Sequence, residues 1–138
     1  MKLGVFTCVC GDKPLEEALK YFSEKGIEMV EIGCGGYPGK SHADPEVLLA
    51  DDKKLEEFKA LIKKYNLEIS ALSCHGNPVH PNKEIAKSFD DDLRKAVLLA
   101  EKLGVTSKSI SRWENGNTMP DYSLLVPLCN ELDITVDE

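Results

Sequence analysis

Three short stretches of this chain hold most of its reactive side chains. Thr7-Cys8-Val9-Cys10-Gly11-Asp12 carries two thiols and a carboxylate. Glu31-Ile32-Gly33-Cys34-Gly35-Gly36-Tyr37-Pro38-Gly39 sets a carboxylate and a thiol beside a mobile, glycine-rich loop. Ser73-Cys74-His75-Gly76-Asn77-Pro78-Val79-His80-Pro81-Asn82 adds two imidazoles and two amides, shaped by prolines. Glu31 can orient a substrate hydroxyl or hold a neighbouring histidine; it can equally be a structural charge paired with a lysine. His75 can hydrogen-bond a substrate hydroxyl or be satisfied by loop backbone, and Asn77 stands beside it as a further substrate-side amide. His42 and His80 read as solvent-facing. Cys8, Cys34 and Cys74 with His75 make a soft-metal site conceivable, but single thiols mostly serve as small hydrophobes, and no metal ligands are assigned.

A fourth stretch, Thr106-Ser107-Lys108-Ser109-Ile110-Ser111-Arg112-Trp113-Glu114-Asn115-Gly116, is polar with Ile110 and Trp113 three apart. It reads as a short amphipathic helix ending at Gly116. A turn follows, and then a helix from Leu124 to about Leu132.

The elements that must position the first three stretches repeat. Gly26, Asn66 and Gly104, spaced 40 and 38 residues apart, each follow a helical pattern and precede an apolar run. Gly and Asn tolerate the left-handed conformation just past a helix end. A period near 40 that alternates strand and helix marks stacked βα units. The runs 2–9, 27–33 and 67–73 read as parallel strands, buried on both faces. One helix follows Asp12 and Pro14, with Leu15, Ala18, Leu19 and Phe22 on one stripe. A second starts at Asp44-Pro45 and restarts near Asp51-Asp52, carrying Leu55, Phe58, Ile62 and Tyr65. A third runs from about Lys83 to Leu103, with a break near Asp90 and a stripe of Leu93, Ala96, Val97, Ala100 and Leu103. The chemistry of such folds gathers at the C-terminal strand ends, where the three reactive stretches fall. An eight-unit barrel needs about 250 residues, so three units form a partial one, with open edges at the first and third strands that invite self-association.

Length and composition agree. The chain has 138 residues, 42% hydrophobic and 30% charged, with net charge −7. No run of about 18 apolar residues offers a membrane span. The first residues lack the long apolar region of a secretory signal, which points to the cytoplasm. Five cysteines without a Cys-x-x-Cys argue for reduced thiols. The acidic balance gives no general attraction to nucleic acid.

Val30-Glu31-Ile32-Gly33 with Gly-Gly-Tyr-Pro-Gly, and Ser70-Ala71-Leu72-Ser73-Cys74-His75-Gly76-Asn77-Pro78, resemble sugar phosphate isomerases/epimerases of the xylose-isomerase-like barrel superfamily. The resemblance covers about residues 1–104. It implies a (β/α)₈ barrel that uses a divalent metal to move a proton or hydride between neighbouring sugar carbons. It also implies metal ligands (two Glu, an Asp and a His) on later strands, so the metal is expected only in a complete member. This chain is then expected to show no isomerase or epimerase turnover by itself.

From about Leu99 the chain resembles a different family, the Cro/repressor-type (XRE) helix-turn-helix proteins. The residues are Leu-Ala-Glu-Lys-Leu-Gly-Val-Thr, then Ser-x-x-x-Arg-Trp-Glu-Asn-Gly, then Met-Pro-Asp. Ala100, Gly104 and Ile110 sit where that unit wants a small residue, a turn glycine and an aliphatic. The resemblance implies that Thr106, Ser107, Lys108, Ser111, Arg112 and Asn115 face double-stranded DNA, with Ile110 and Trp113 in the core. Two departures stand out. The family's first helix is replaced by Ser88-Phe89-Asp90-Asp91-Asp92, and its last is only beginning at Glu138. From Val105 onward two bases meet six acids, which implies weak, salt-sensitive binding. Domains of 1–98 (partial barrel) and 99–138 (partial helix-turn-helix) follow. The shared heptapeptide Leu99–Val105 reads as the join of a hybrid chain. The alternative function is a DNA-binding regulator with the barrel piece as sensing or dimerising module. The third helix is expected to stay on the sheet, with the tail packed against its end.

Overall fold

A computed structural model describes residues 2–105, which lie in the first of the chain's two units, Met1–Val105 and Thr106–Glu138. In order come β1 (Gly4–Phe6), a 3-10 turn (Thr7–Cys10), α1 (Leu15–Glu24), β2 (Met29–Gly36), α2 (Pro45–Ala50), α3 (Asp52–Lys64), β3 (Glu68–His75) and α4 (Lys83–Leu103). The strands form one parallel sheet in the order β1-β2-β3, the partial α/β barrel that the βα repeat predicts. Its register is set by Phe6 beside Glu31, Ile32 beside Leu72 and Gly36 beside His75.

The helix ends follow the repeat. Gly26, Asn66 and Gly104 have φ of 75°, 54° and 67°, so each unit turns through a left-handed residue at the same place. Helix starts are capped by short acceptors that satisfy otherwise unpaired N–H groups. Asp44 accepts from Glu46 N, Asp51 from Lys53 N and Lys54 N, and Asn82 from Glu84 N and Ile85 N. Asp12 does no capping: α1 begins directly after Pro14.

Four expectations about the elements are corrected. The first strand stops at Phe6, not at residue 9, because the next four residues wind into a turn that satisfies its own backbone (Gly11 N to Cys8 O, 3.1 Å; Lys13 N to Cys10 O, 3.0 Å). That turn buries Thr7 and Cys10 and leaves Val9 outside. The second strand runs on to Gly36, so Gly33-Cys34-Gly35-Gly36 is strand, buried through Gly35, instead of mobile loop. α4 runs through Asp90 without a break. The α4 stripe is also rotated. Ala96 and Leu99 face the core, Leu99 at 0% exposure, while Leu93 and Val97 are 44% and 61% exposed.

One core lies between the sheet and its helices. Val30, Ile32 and Cys34 of β2 meet Leu19 and Phe22 of α1, Leu55, Phe58 and Ile62 of α3, and Leu99 of α4. Ile69, Leu72 and Cys74 of β3 pack against it. Truncating a side chain as enclosed as Leu99 to Ala costs about 2–5 kcal/mol. Among the described residues no helix is long and apolar enough to cross a membrane.

Candidate functional site

Parallel register brings the ends of β2 and β3 side by side. Within the sheet, below those ends, Ser73 Oγ donates to Glu31 Oε1. Glu31 is half-buried and Ser73 is almost wholly enclosed. The pairing joins a carboxylate to a hydroxyl through neighbouring strands, so its geometry is fixed by the sheet and not by loop contacts. A carboxylate held in this way keeps lone pairs for a further hydroxyl.

The rim above this pair is built by close backbone approach. At Gly36, where φ is +63°, an added Cβ would stand 1.9 Å from His75 O. The next residue closes the contact, with Tyr37 N donating to His75 O at 2.7 Å. The Tyr37 ring leans on Phe89 of α4, centroids 5.1 Å apart. Phe89 in turn fills the space beside Gly76, where a Cβ would lie 2.2 Å from the ring.

Asp92 ties this rim to α4. Its carboxylate accepts from Gly36 N at 3.0 Å and pairs with Lys40 Nζ at 2.7 Å. Burial opposes the Asp92 charge, but Lys40 and the Gly36 N–H outweigh it and hold the carboxyl below its ordinary range. Lys40 is raised in return, chiefly by its hydrogen bond to Asp92. Beneath the clamp lie two thiols. Cys34, whose Sγ points at Ser73 O at 3.6 Å, is pushed up to about 12, first by burial and then by Cys74 and Asp92. Cys74 is raised by burial and by Asp92.

The sequence-named residues divide clearly. Glu31 is the third residue of β2 and does not stand at the strand's end, because the strand runs on through the glycines to Gly36; Ser73 is its partner. His75 is exposed, and its main chain, not its imidazole, makes the contact with Tyr37. Asn77 turns its Oδ1 to Val79 N, 3.2 Å away, and so shapes its own loop. His42 is not solvent-facing: it is 5% exposed and its Nε2 bonds Lys13 O at 2.9 Å. His80 is half-buried and its Nδ1 accepts from Asn82 N. Cys8 is exposed, whereas Cys34 is buried beside Cys74. Among the described residues no three His, Cys, Asp or Glu side chains gather as a metal site. Thr106, Ser107, Lys108, Ser111, Arg112 and Asn115 lie outside the described residues. Ser73, Lys40 and Asp92 were missed. Asp92 precedes Ala96 and Leu99 by four and seven residues, the phase of a helix's buried side, and that spacing was the available signal.

Known families match this sequence in two overlapping segments. A xylose isomerase-like TIM barrel family model matches residues 18–111, and a helix-turn-helix family model matches residues 95–138. A relative is the uncharacterized protein YfiH of Bacillus subtilis (strain 168), 36% identical over 105 residues. That alignment covers 76% of this chain and 33% of the relative, so the chain spans about a third of its length.

Proposed function

This chain belongs to the xylose isomerase-like TIM-barrel family, and from that membership we propose that residues 1–98 supply the substrate side of a sugar phosphate isomerase/epimerase-like site without being catalytically competent alone. The Glu31–Ser73 pair across β2 and β3 carries the reading. Glu31 would accept a hydrogen bond from a sugar hydroxyl, with Ser73 fixing the carboxylate. The rim of Tyr37, His75 and Asn77 would border the sugar. In this family a divalent metal polarises the reacting oxygen. The described residues do not fit such an ion: no three candidate ligands gather, and the two neighbouring thiols are held protonated by burial. The barrel units that would carry the ligands correspond to none of the described strands. The test is turnover of ketose phosphates and their epimers by the purified chain with added divalent metal. No turnover is expected. Metal-dependent interconversion that Glu31→Ala abolishes would overturn the proposal.

A second reading is favoured by the helix-turn-helix match over residues 95–138. In it the chain is a DNA-binding regulator, with Thr106, Ser107, Lys108, Ser111, Arg112 and Asn115 facing the duplex and the barrel piece as sensing or dimerising module. The match begins at Lys95, inside α4, where Ala96 and Leu99 are already committed to the sheet's core. Two cations give few released counterions, so binding would be weak and salt-dependent, and each of Lys108→Ala and Arg112→Ala would lower the salt slope by about 1. Fluorescence anisotropy with duplex DNA at two salt concentrations discriminates the readings; specific binding that survives physiological salt favours the regulator. The join between the two segments would fall within Leu99–Val105, and sequencing the encoding DNA across the codons for Ala100 to Thr106 tests whether it is natural. The cellular location that fits both readings is the cytoplasm.

A further inference from the structure

We propose that the open edge of β3 and the adjoining flank of α4 form a self-complementary surface that takes a second copy of this chain about a two-fold axis. Order across the helix layer comes first. Glu16 of α1 pairs with Lys64 of α3 at 2.5 Å, and Glu46 of α2 pairs with Lys95 of α4. The neighbours of α4 are therefore on its β1 side. On α4 itself, Asp91 and Lys95 line the groove toward α2, and Ala96 and Leu99 face the sheet. With 100° between successive residues, Leu93 and Val97 must point to the other flank, above the free edge of β3.

That edge is a ready template. Among the described residues no strand pairs with the outer side of β3. Ala71-Leu72-Ser73-Cys74-His75 has no proline, lysine or acid to blunt it. The register shift at Val30/Glu31 leaves Ser70 without a pair, whereas all five of these residues have consecutive partners on β2 apart from the skipped Cys34. Antiparallel addition of a second β3 about an axis at Ser73 sets Leu72 opposite Cys74 of the partner subunit and keeps both helices on the same face.

Spacing decides the occupant. α4 lies against both β2 and β3. Adding β3 to β3 then separates the two α4 axes by two strand spacings, about 9–10 Å, the distance at which helices pack. Height agrees as well. Asp92 and Cys74 are level, since both flank the space beside Gly35. Ser73 is one residue lower, about 3.3 Å, and α4, descending at about 1.5 Å per residue, reaches that level about two residues after Asp92. Leu93 and Val97 therefore straddle the axis and meet their own copies. Charge fits too: Arg94, paired with Asp90 on its own helix at 2.8 Å, would approach Asp90 of the partner subunit across the two-fold, so two acidic chains meet at a balanced patch. The pairing uses only the sheet and α4.

Sedimentation equilibrium of the full 138-residue chain is the test, with Leu98→Lys as control because Leu98 is 52% exposed and points away from the sheet. A dimer is expected. Leu93→Lys and Val97→Lys should each weaken it at least about tenfold, and Leu98→Lys should not. In a Cys8→Ser/Cys129→Ser background, Leu93→Cys should form a covalent dimer with diamide, and Leu98→Cys should not. Circular dichroism of each variant separates lost association from lost folding. A monomer at all concentrations, or a dimer indifferent to Leu93 and Val97 while both variants stay folded, overturns the proposal.

Discussion

The two ends of this sheet are fastened by different physics. At the lower end, where the strands begin, Lys2 pairs with Glu68, Glu28 accepts from Leu3 N at 3.2 Å, and Gly26 turns the chain with nothing within 4 Å of the place a Cβ would occupy. All of this is solvent-facing. At the upper end Gly36 lies against the His75 carbonyl, and the Asp92–Lys40 pair is largely enclosed. Exposed charges are screened and cost side-chain entropy to hold, so they contribute little. Enclosed ones leave an uncompensated group when broken. The end that carries the site is thus the end whose geometry is difficult to alter, and the other end tolerates change.

Gly36→Ala should mark the extreme of that contrast. It combines a left-handed φ with a methyl 1.9 Å from His75 O, for about 3–5 kcal/mol in denaturant unfolding. A loss below about 1 kcal/mol would mean that the ends of β2 and β3 move apart easily. Asp92→Asn comes next, at about 1–3 kcal/mol. Its pH dependence sharpens the point. The folded carboxyl titrates below its ordinary value near 3.8, so its contribution is complete above that pH and is lost as pH falls through the folded value. Wild type and Asp92→Asn should therefore converge in acid; a gap that stays constant from pH 7 to pH 2 would remove the Asp92 charge from the account.

Gly26→Ala has the same left-handed strain as Gly36→Ala but open space around it, so about 1 kcal/mol is expected. The difference between the two alanines measures the clash alone. Smallest is Lys2→Ala, at about 0–1 kcal/mol, with the loss fading as salt is added. A lower-end effect matching that of Asp92→Asn would erase the contrast between the ends.

Much of the fold was legible because each helix end repeats one device. Gly26, Asn66 and Gly104 announce the left-handed turn, and Asp44 and Asp51 announce the next helix. Strand ends were less legible, for a physical reason. Gly33 to Gly36 resembles a loop in composition, yet glycine is what lets neighbouring backbones approach this closely. Glu31 was found because the glycine run after it reads as the end of the strand, although the strand continues to Gly36. Its partner Ser73 and the clamp residue Asp92 were not, since they lie 42 and 61 positions away in sequence and are joined to it only by register and helix docking. The α4 stripe went astray because Leu93 and Val97 share the apolar character of Leu99, and only the helix's rotation on the sheet tells them apart.

Cys34 turns the core into its own clock. Its thiol is at 0% exposure and pushed up to about 12, so at neutral pH it is neither ionised nor reachable, and a thiolate is what alkylating reagents attack. Cys8 stands exposed on the same chain and gives the reference rate. Iodoacetamide added to native protein would consume Cys8 at once and Cys34 only as often as the β2–β3 layer opens. The ratio of the two rates reads the opening equilibrium of this partial barrel directly, with no denaturant and no engineered probe.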